Sequence, residues 1–469
     1  MIFSANFIYS EPSPQPPCHH RNCVPSTDTV SPGCSSLHRV PRAAMGGQWL
    51  SWLLVCLCLV RGRCGGLRDL HTEFAVRLYQ AHADRGSNLI VSPLSISMAL
   101  GLLQFGARVR SLAQLEEALG YNVKGKTYQH CPWKSGPIIQ SPDIYQNQTM
   151  CMYRSSCNMI GGGVGNSSRR VAVRLACALF IQHDISLLPA FTQHASAWGN
   201  SSLVQTSFNQ PNQTISQLED WIRRNADADT EMDVQLPIWS DSPEWAGPHM
   251  ALVSTLAFRS TWQRCFHLGE ELPFTLANGS VTKVPMMHQL TEARFGHFHT
   301  PMDLRYSVLE LPYLGGYFGL LVVQPSDRKM PLSQLETQLS GHAVTMWHSS
   351  LHRIKMDIFL PRFRIHSKSS LRSVLPSLGV SDIFDPTVAD FTGISAEEGL
   401  YVSEALQEAV VEVMENGTKA EAVTAVVLLK RSRAPVFKAD RPFLFLLKQV
   451  STGTILFIGR MLNPAEQKL

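Results

Sequence analysis

Apolar positions recur along the chain with two periods, helix-like in its first part and strand-like later. From Asp69 to His82, Leu70, Phe74 and Leu78 recur every four residues, with Ala75 and Tyr79 widening the stripe, so a helix is expected. Asn88 to Ser97 reads as a short strand running into a helix, with Ser92 as N-cap and Pro93 in the first turn. Leu112 to Leu119 is a further helix, stopped by Gly120. Residues 122–170 have no period and include Gly161-Gly162-Gly163. A structureless stretch of that length is uncommon inside a domain, so it reads as an insertion or as the replacement of an element. Periodicity resumes with a strand over Val171 to Gln182 and an amphipathic helix marked by Ile215, Leu218 and Ile222. Strands are expected at Met250–Phe258, Val308–Leu311, Phe318–Val323, Met356–Leu360 and, longest, Tyr401–Val413. Leu371, Leu375 and Leu378 imply a helix ending at Gly379, and a hairpin around Ser451-Thr452-Gly453 closes the chain. Without a strand–helix–strand rhythm, the class is α+β with antiparallel or mixed sheets.

The chain has 469 residues, 44% of them hydrophobic, enough for a large core. A net charge of +4 without a long basic run gives no case for nucleic-acid binding. Residues 1–44 are Pro-, Ser- and Cys-rich and form a non-globular extension. The apolar run Trp49 to Val60 is too short to span a bilayer but suits a signal-peptide core, so Met45 reads as the working start and 45–64 as a signal peptide. Residues 65–469 are then a single domain of a secreted, extracellular protein.

Secretion bears on the cysteines. Five follow Gly65, an odd number that cannot all pair internally. Cys177 and Cys265 read as buried thiols, while Cys131, Cys151 and Cys157 supply one disulfide or none. No metal site is expected. His297 and His299 alternate along a strand and read as a solvated face, and Asp382 and Asp385 as a turn. Asn147, Asn166, Asn200, Asn212, Asn278 and Asn416 begin Asn-x-Ser/Thr sequons, as in a glycoprotein. No nucleophile elbow, His-Glu-x-x-His or phosphate-binding glycine loop is present, so neither an enzyme nor a cofactor is nominated.

The segment after the longest strand is the distinctive one. Glu415 to Thr424 becomes a run of small residues, and Arg431-Ser432 follows as a bond that trypsin-like proteases cut. Core-like sequence then resumes at Phe437. A small, cleavable segment between two core strands suggests bait for a protease rather than a protease.

In order along the chain, several segments resemble the serpin family. They are NLIVSPLSISMAL (88–100), LACALFIQ (175–182), FRSTWQRCF (258–266), VPMMHQ (284–289), LELPY (309–313), FLPRF (359–363), ADFTGI (389–394), ADRPF (439–443) and GRMLNP (459–464). Within the family the sequence looks closest to clade E, the plasminogen-activator-inhibitor-like branch. The resemblance implies three β-sheets, about nine helices and an exposed C-terminal reactive loop. It makes Glu415 the start of the loop hinge and, 17 residues on, Arg431-Ser432 the bait bond, with Arg433 as the alternative. It also implies inhibition by insertion of the cleaved loop as a new sheet strand. Alternation along such a strand puts Thr418, Ala420, Ala422 and Thr424, all small, on one face, and Gly417, Lys419, Glu421 and Val423 on the other.

The implied partner is an extracellular trypsin-like serine protease, whose specificity-pocket carboxylate suits an arginine, and the inhibitor is expected to be a monomer. The alternative is a non-inhibitory binding or carrier serpin whose loop is cut without trapping. The sequence departs from the family at Asn416, Ser254, Ala257 and Gln407-Glu408. Residues 122–170 stand in place of a helix that binds heparin in some relatives, so no heparin site is carried over.

Overall fold

The computed structural model describes residues 66–82, 86–121, 172–198, 201–225, 249–415 and 434–466. Its larger sheet runs β1-β14-β13-β8-β7-β6-β9-β12, with β5 attached to β6. These strands are β1 (Leu89–Val91), β5 (Glu271–Thr275), β6 (Val281–His299), β7 (Arg305–Pro312), β8 (Phe318–Pro325), β9 (His352–Pro361), β12 (Val436–Lys438), β13 (Phe443–Gln449) and β14 (Ile455–Met461). The second sheet has five strands in the order β10-β11-β4-β2-β3. They are β2 (Ala172–Gln182), β3 (Ser201–Thr206), β4 (His249–Arg259), β10 (Phe363–Ser370) and β11 (Tyr401–Val413). The three sheets implied by the resemblance correspond to this pair. The 19-residue β6 pairs with β5 and β9 along its first part and with β7 at its end, joining two strand sets into one path.

Seven α-helices are present among the described residues: α1 (Leu67–Ala81), α2 (Pro93–Gly106), α3 (Val109–Leu119), α4 (Pro189–Ala197), α5 (Pro211–Asn225), α6 (Leu332–Gln338) and α7 (Gly341–Ser350). Helix α2 begins as expected, with Ser92 Oγ accepting from the Ser95 amide at 3.2 Å and Pro93 at its first position. Every residue of it is buried, which is why it shows no polar face. Helix α3 ends on Gly120 in the left-handed conformation. The leucines from Leu371 to Leu378 do not form an α-helix. The segment turns and then forms a short 3-10 stretch, Leu375–Leu378, because Pro376 has no amide to donate to an α-helical ladder.

The β2–β4 part of the five-stranded sheet is covered on both faces, and these strands divide their residues accordingly. On β2, Leu175, Cys177, Leu179 and Ile181 enter the main core. Ala176, Ala178 and Phe180 face α5, meeting Leu218, Trp221 and Ile222. The near-continuous apolar reading of β2 and β4 is therefore two alternating faces, both covered.

Helix α1 docks on β14 partly through His71. This side chain is 1% exposed and its Nε2 donates to the Ile455 carbonyl at 3.1 Å. Burial lowers its pKa to about 4, and burial shifts His82 in the same direction. The unfolded chain takes up these protons near the ordinary histidine value of about 6.5. The stability contributed by neutral His71 is thus complete above that pH and is lost as pH falls from about 6.5 towards 4, by on the order of 3 kcal/mol. Urea midpoints measured from pH 7 to 4.5 are expected to fall, and the fall is expected to be smaller in His71→Gln. An equally steep fall in that variant would assign the acid lability elsewhere.

Candidate functional site

Two strands at the centre of the five-stranded sheet set the geometry. β4 and β11 run parallel, while β10 is antiparallel to β11 and β2 antiparallel to β4. The parallel register runs from Tyr401 opposite His249 to Val410 opposite Ala257, with one irregularity between Val402 and Glu404. The predicted loop leaves from the end of β11. A strand turning back from Glu415 into this seam would lie antiparallel to β11 and to β4 alike.

The exit point is held by a latch. The Trp262 indole Nε1–H donates to the Met414 carbonyl at 2.7 Å, and the Phe266 amide donates to the Glu415 carbonyl at 2.7 Å. Trp262 stacks on Tyr313 with ring centroids 4.2 Å apart and meets Phe266 edge-on at 5.5 Å. Both Trp262 and Tyr313 are buried, and burial pushes the Tyr313 phenol pKa well above its ordinary value. Two backbone bonds fasten the stack from either side, Gln263 amide to Pro312 carbonyl at 3.1 Å and Leu314 amide to Thr261 carbonyl at 2.8 Å. The sequence after β4 explains the arrangement. Trp262 and Phe266 turn inward while Gln263, Arg264 and Cys265 stay exposed. Cys265 is therefore not the buried thiol its apolar neighbours suggest; Cys177 is.

A second tie lies halfway along the seam. Gln407 Nε2 donates to the Ser92 carbonyl at 2.8 Å and to Ser95 Oγ at 3.0 Å, fixing β11 to the start of α2. Gln407 stands opposite Ser254, and Glu408 opposite Thr255. On these adjacent rungs Gln407 Oε1, Ser254 Oγ, Glu408 Oε2 and Thr255 Oγ1 are buried without a hydrogen-bond partner among the described residues. The other Glu408 oxygen accepts from His366 Nε2 at 2.8 Å. The departures at Ser254, Gln407 and Glu408 thus meet in one place, the seam itself.

The far end of the loop is anchored on the other sheet. β12 lies parallel to β9, with the Asp357 amide donating to the Pro435 carbonyl at 2.9 Å and Lys438 Nζ 4.9 Å above the Phe359 ring. Of the expected site residues, Glu415 is placed and its Oε1 is buried without a partner among the described residues. Asn416, Gly417, Thr418, Ala420, Ala422, Thr424, Arg431 and Ser432 lie outside the described residues, as do Asn147, Asn166 and Asn200. Asn212 and Asn278 are exposed, and Asn278 Oδ1 accepts from both the amide and the hydroxyl of Ser280. His297 and His299 lie exposed on β6. Asp385 holds a turn through the Thr387 amide and hydroxyl. The latch was not anticipated from sequence, although the aromatic spacing in FRSTWQRCF was the available signal.

Comparison with known proteins agrees with this architecture. A family model described as serpin (serine protease inhibitor) matches residues 69–464. The chain belongs to the serpin family. It is 48% identical over 440 residues to a protein named probable serpin E3 of Danio rerio, covering 91% of this chain and 100% of that one. It is 28% identical to plasminogen activator inhibitor 1 of Neovison vison, covering 84% and 92% of the two chains. Among solved structures it resembles native protease nexin-1 with heparin, with a TM-score of 0.69 and 26% identity over 85% of this chain and 99% of that one. In this serpin, Trp262→Phe keeps the aromatic stack but removes the latch donor. It is expected to lower stability by about 1–2 kcal/mol, read as the urea midpoint. An unchanged midpoint would show that the indole bond carries no weight.

Proposed function

We propose that this serpin is a secreted inhibitor of trypsin-like serine proteases, with Arg431-Ser432 as its bait bond and loop insertion between β4 and β11 as its mechanism. The parallel β4–β11 seam beside the exit of Glu415 carries the reading. Insertion exchanges one parallel pairing for two antiparallel ones, which are slightly more stable per residue. About 15 inserted residues span roughly 50 Å at about 3.3 Å each, enough to carry an attached protease across the molecule. The added ladder bonds supply on the order of 10 kcal/mol. Thr418, Ala420, Ala422 and Thr424 are small enough for the crowded side of a new central strand. The arginine side chain directs the bait to a protease with a carboxylate in its specificity pocket.

The sequon at Asn416 favours a second reading, a serpin cut without trapping, because a glycan must stay in water where insertion begins. Incubating the secreted protein with trypsin-like proteases separates the two. The inhibitor reading expects a denaturant-resistant covalent complex that disappears in Arg431→Ala. Clean cleavage after Arg431 with no complex supports the second. Asn416→Gln is expected to raise the fraction of protease trapped, whereas full-strength inhibition by protein that mass spectrometry shows glycosylated at Asn416 would remove the glycan from the account.

A further inference from the structure

Val436, the first residue of β12, lies four residues beyond Ser432, whereas Arg431 lies sixteen beyond Glu415. Four residues reach about 14 Å even when fully extended. The expected bait bond is therefore held close to the edge of the larger sheet from its far side, while the near side sets no comparable limit. A protease domain of about 230 residues has a radius of gyration of about 17 Å. Seated on that bond, it overlies β12 and β9, the strand beside it. Protease–inhibitor contacts bury about 800 Å² on each partner, enough to take in surface beyond the bait.

The two faces of β9 and β12 differ. Met356, Ile358 and Phe437 are buried on one side. Alternation turns Arg353, Lys355, Asp357 and Phe359 of β9 to the other side, together with Val436 and Lys438 of β12. Val436 is 57% exposed, an apolar side chain at a sheet edge. Lys438 Nζ lies 4.9 Å above the Phe359 ring, a contact that holds the cation in place. Asp357 is occupied, since its Oδ1 accepts from His288 Nε2 at 3.2 Å. Arg353 and Lys355 are exposed, and Glu292 on β6 stands opposite Lys355. Among the described residues of these three strands on this face, Arg353, Lys355 and Lys438 are thus set against a single exposed carboxylate, Glu292.

We propose that this face of β9 and β12 is a second contact surface for the target protease, and that it selects among enzymes able to cut after arginine. The favoured partner is a trypsin-like protease with acidic side chains beside the part of its cleft that holds the residues after the cut bond. Val436 gives the apolar contact, and Arg353, Lys355 and Lys438 meet the acids. Charge complementarity of this kind acts mainly on the rate of encounter and on the rejection of partners with a basic surface at the same place. The surface presupposes Arg431-Ser432 as the bait bond. It does not depend on whether the protease is then trapped.

The anionic and cationic isoforms of trypsin share a preference for arginine and differ in surface charge, so they serve as probes. The rate at which each consumes the intact secreted chain is measured, counting cut and trapped product together. At about 0.15 M salt the anionic isoform is expected to be faster by about tenfold or more, and the preference is expected to shrink as added salt screens the charges. Arg353→Glu/Lys355→Glu, which changes two exposed side chains, is expected to abolish or reverse the preference. Arg223→Glu/Arg224→Glu, an equal change on the exposed part of α5, is expected to leave it intact. A synthetic peptide of residues 424–435, which carries the bait bond without the strands, is expected to be cut by both isoforms at similar rates. Equal consumption of the intact chain by the two isoforms overturns the proposal. So does the same preference in the peptide, which would place the selection in the loop, or an equal loss in the two double variants, which would mean attraction to the molecule as a whole. Absence of cleavage after Arg431 in both chain and peptide removes the bait bond itself, and this surface with it.

Discussion

The parallel pairing of β4 with β11 is the constraint on which the rest of the molecule depends. Each of these strands has an antiparallel neighbour on its outer side. Only between them do two strands point the same way with the predicted loop leaving at one end. A polypeptide leaving β11 and reversing direction matches the ladder polarity of both. The same entry beside an antiparallel pair would match one strand and oppose the other. Direction together with the exit point, which the sheet's other parallel pair β2–β3 lacks, therefore singles out the β4–β11 seam for the proposed strand addition.

A closed seam must be held closed, and its chemistry shows both the restraint and its cost. At the exit, two 2.7 Å hydrogen bonds from Trp262 and Phe266 grip Met414 and Glu415. At mid-sheet, Gln407 ties β11 to the start of α2. At and beside this tie, two adjacent rungs carry four buried polar atoms without partners among the described residues. Each such atom costs about 1–3 kcal/mol relative to a satisfied one. Unsatisfied polar atoms along a seam give its separation a smaller penalty than a dry apolar seam would carry. The seam is thus held firmly at the exit and less well satisfied at mid-sheet, which favours the proposed opening there.

Much of this was legible in sequence where periodicity or capping carries the signal. β11 ends at Val413 as its alternation implied, and the Ser92 cap and the Gly120 stop both lie where their chemistry puts them. The assignment of Glu415 as the start of the loop rests on the family resemblance, and the residues that follow it lie outside the described ones. What could not be read was long-range. Nothing local distinguishes a strand that will pair parallel from one that will pair antiparallel, so the β4–β11 relation was hidden. β10 escaped because its FRIHSKSS sequence is largely polar, and β6 because its inward face changes phase partway along its 19 residues. Cys265 was misread because an apolar neighbourhood in sequence is not burial. Trp262 and Phe266 fill the interior, and the cysteine between them and the exposed Arg264 stays outside.

The central claim is that the β4–β11 seam accepts the loop as a sixth strand. Thermal unfolding of the protein before and after limited cleavage at Arg431 by trypsin tests this without requiring a trapped protease. Because the new strand adds two antiparallel ladders, the cleaved form is expected to melt well above the intact form, by tens of degrees. Addition of a synthetic peptide spanning 416–431 to the intact chain is expected to give a smaller rise in the same direction. A cleaved form that melts at or below the temperature of the intact protein would contradict the account, since the seam would then have remained closed.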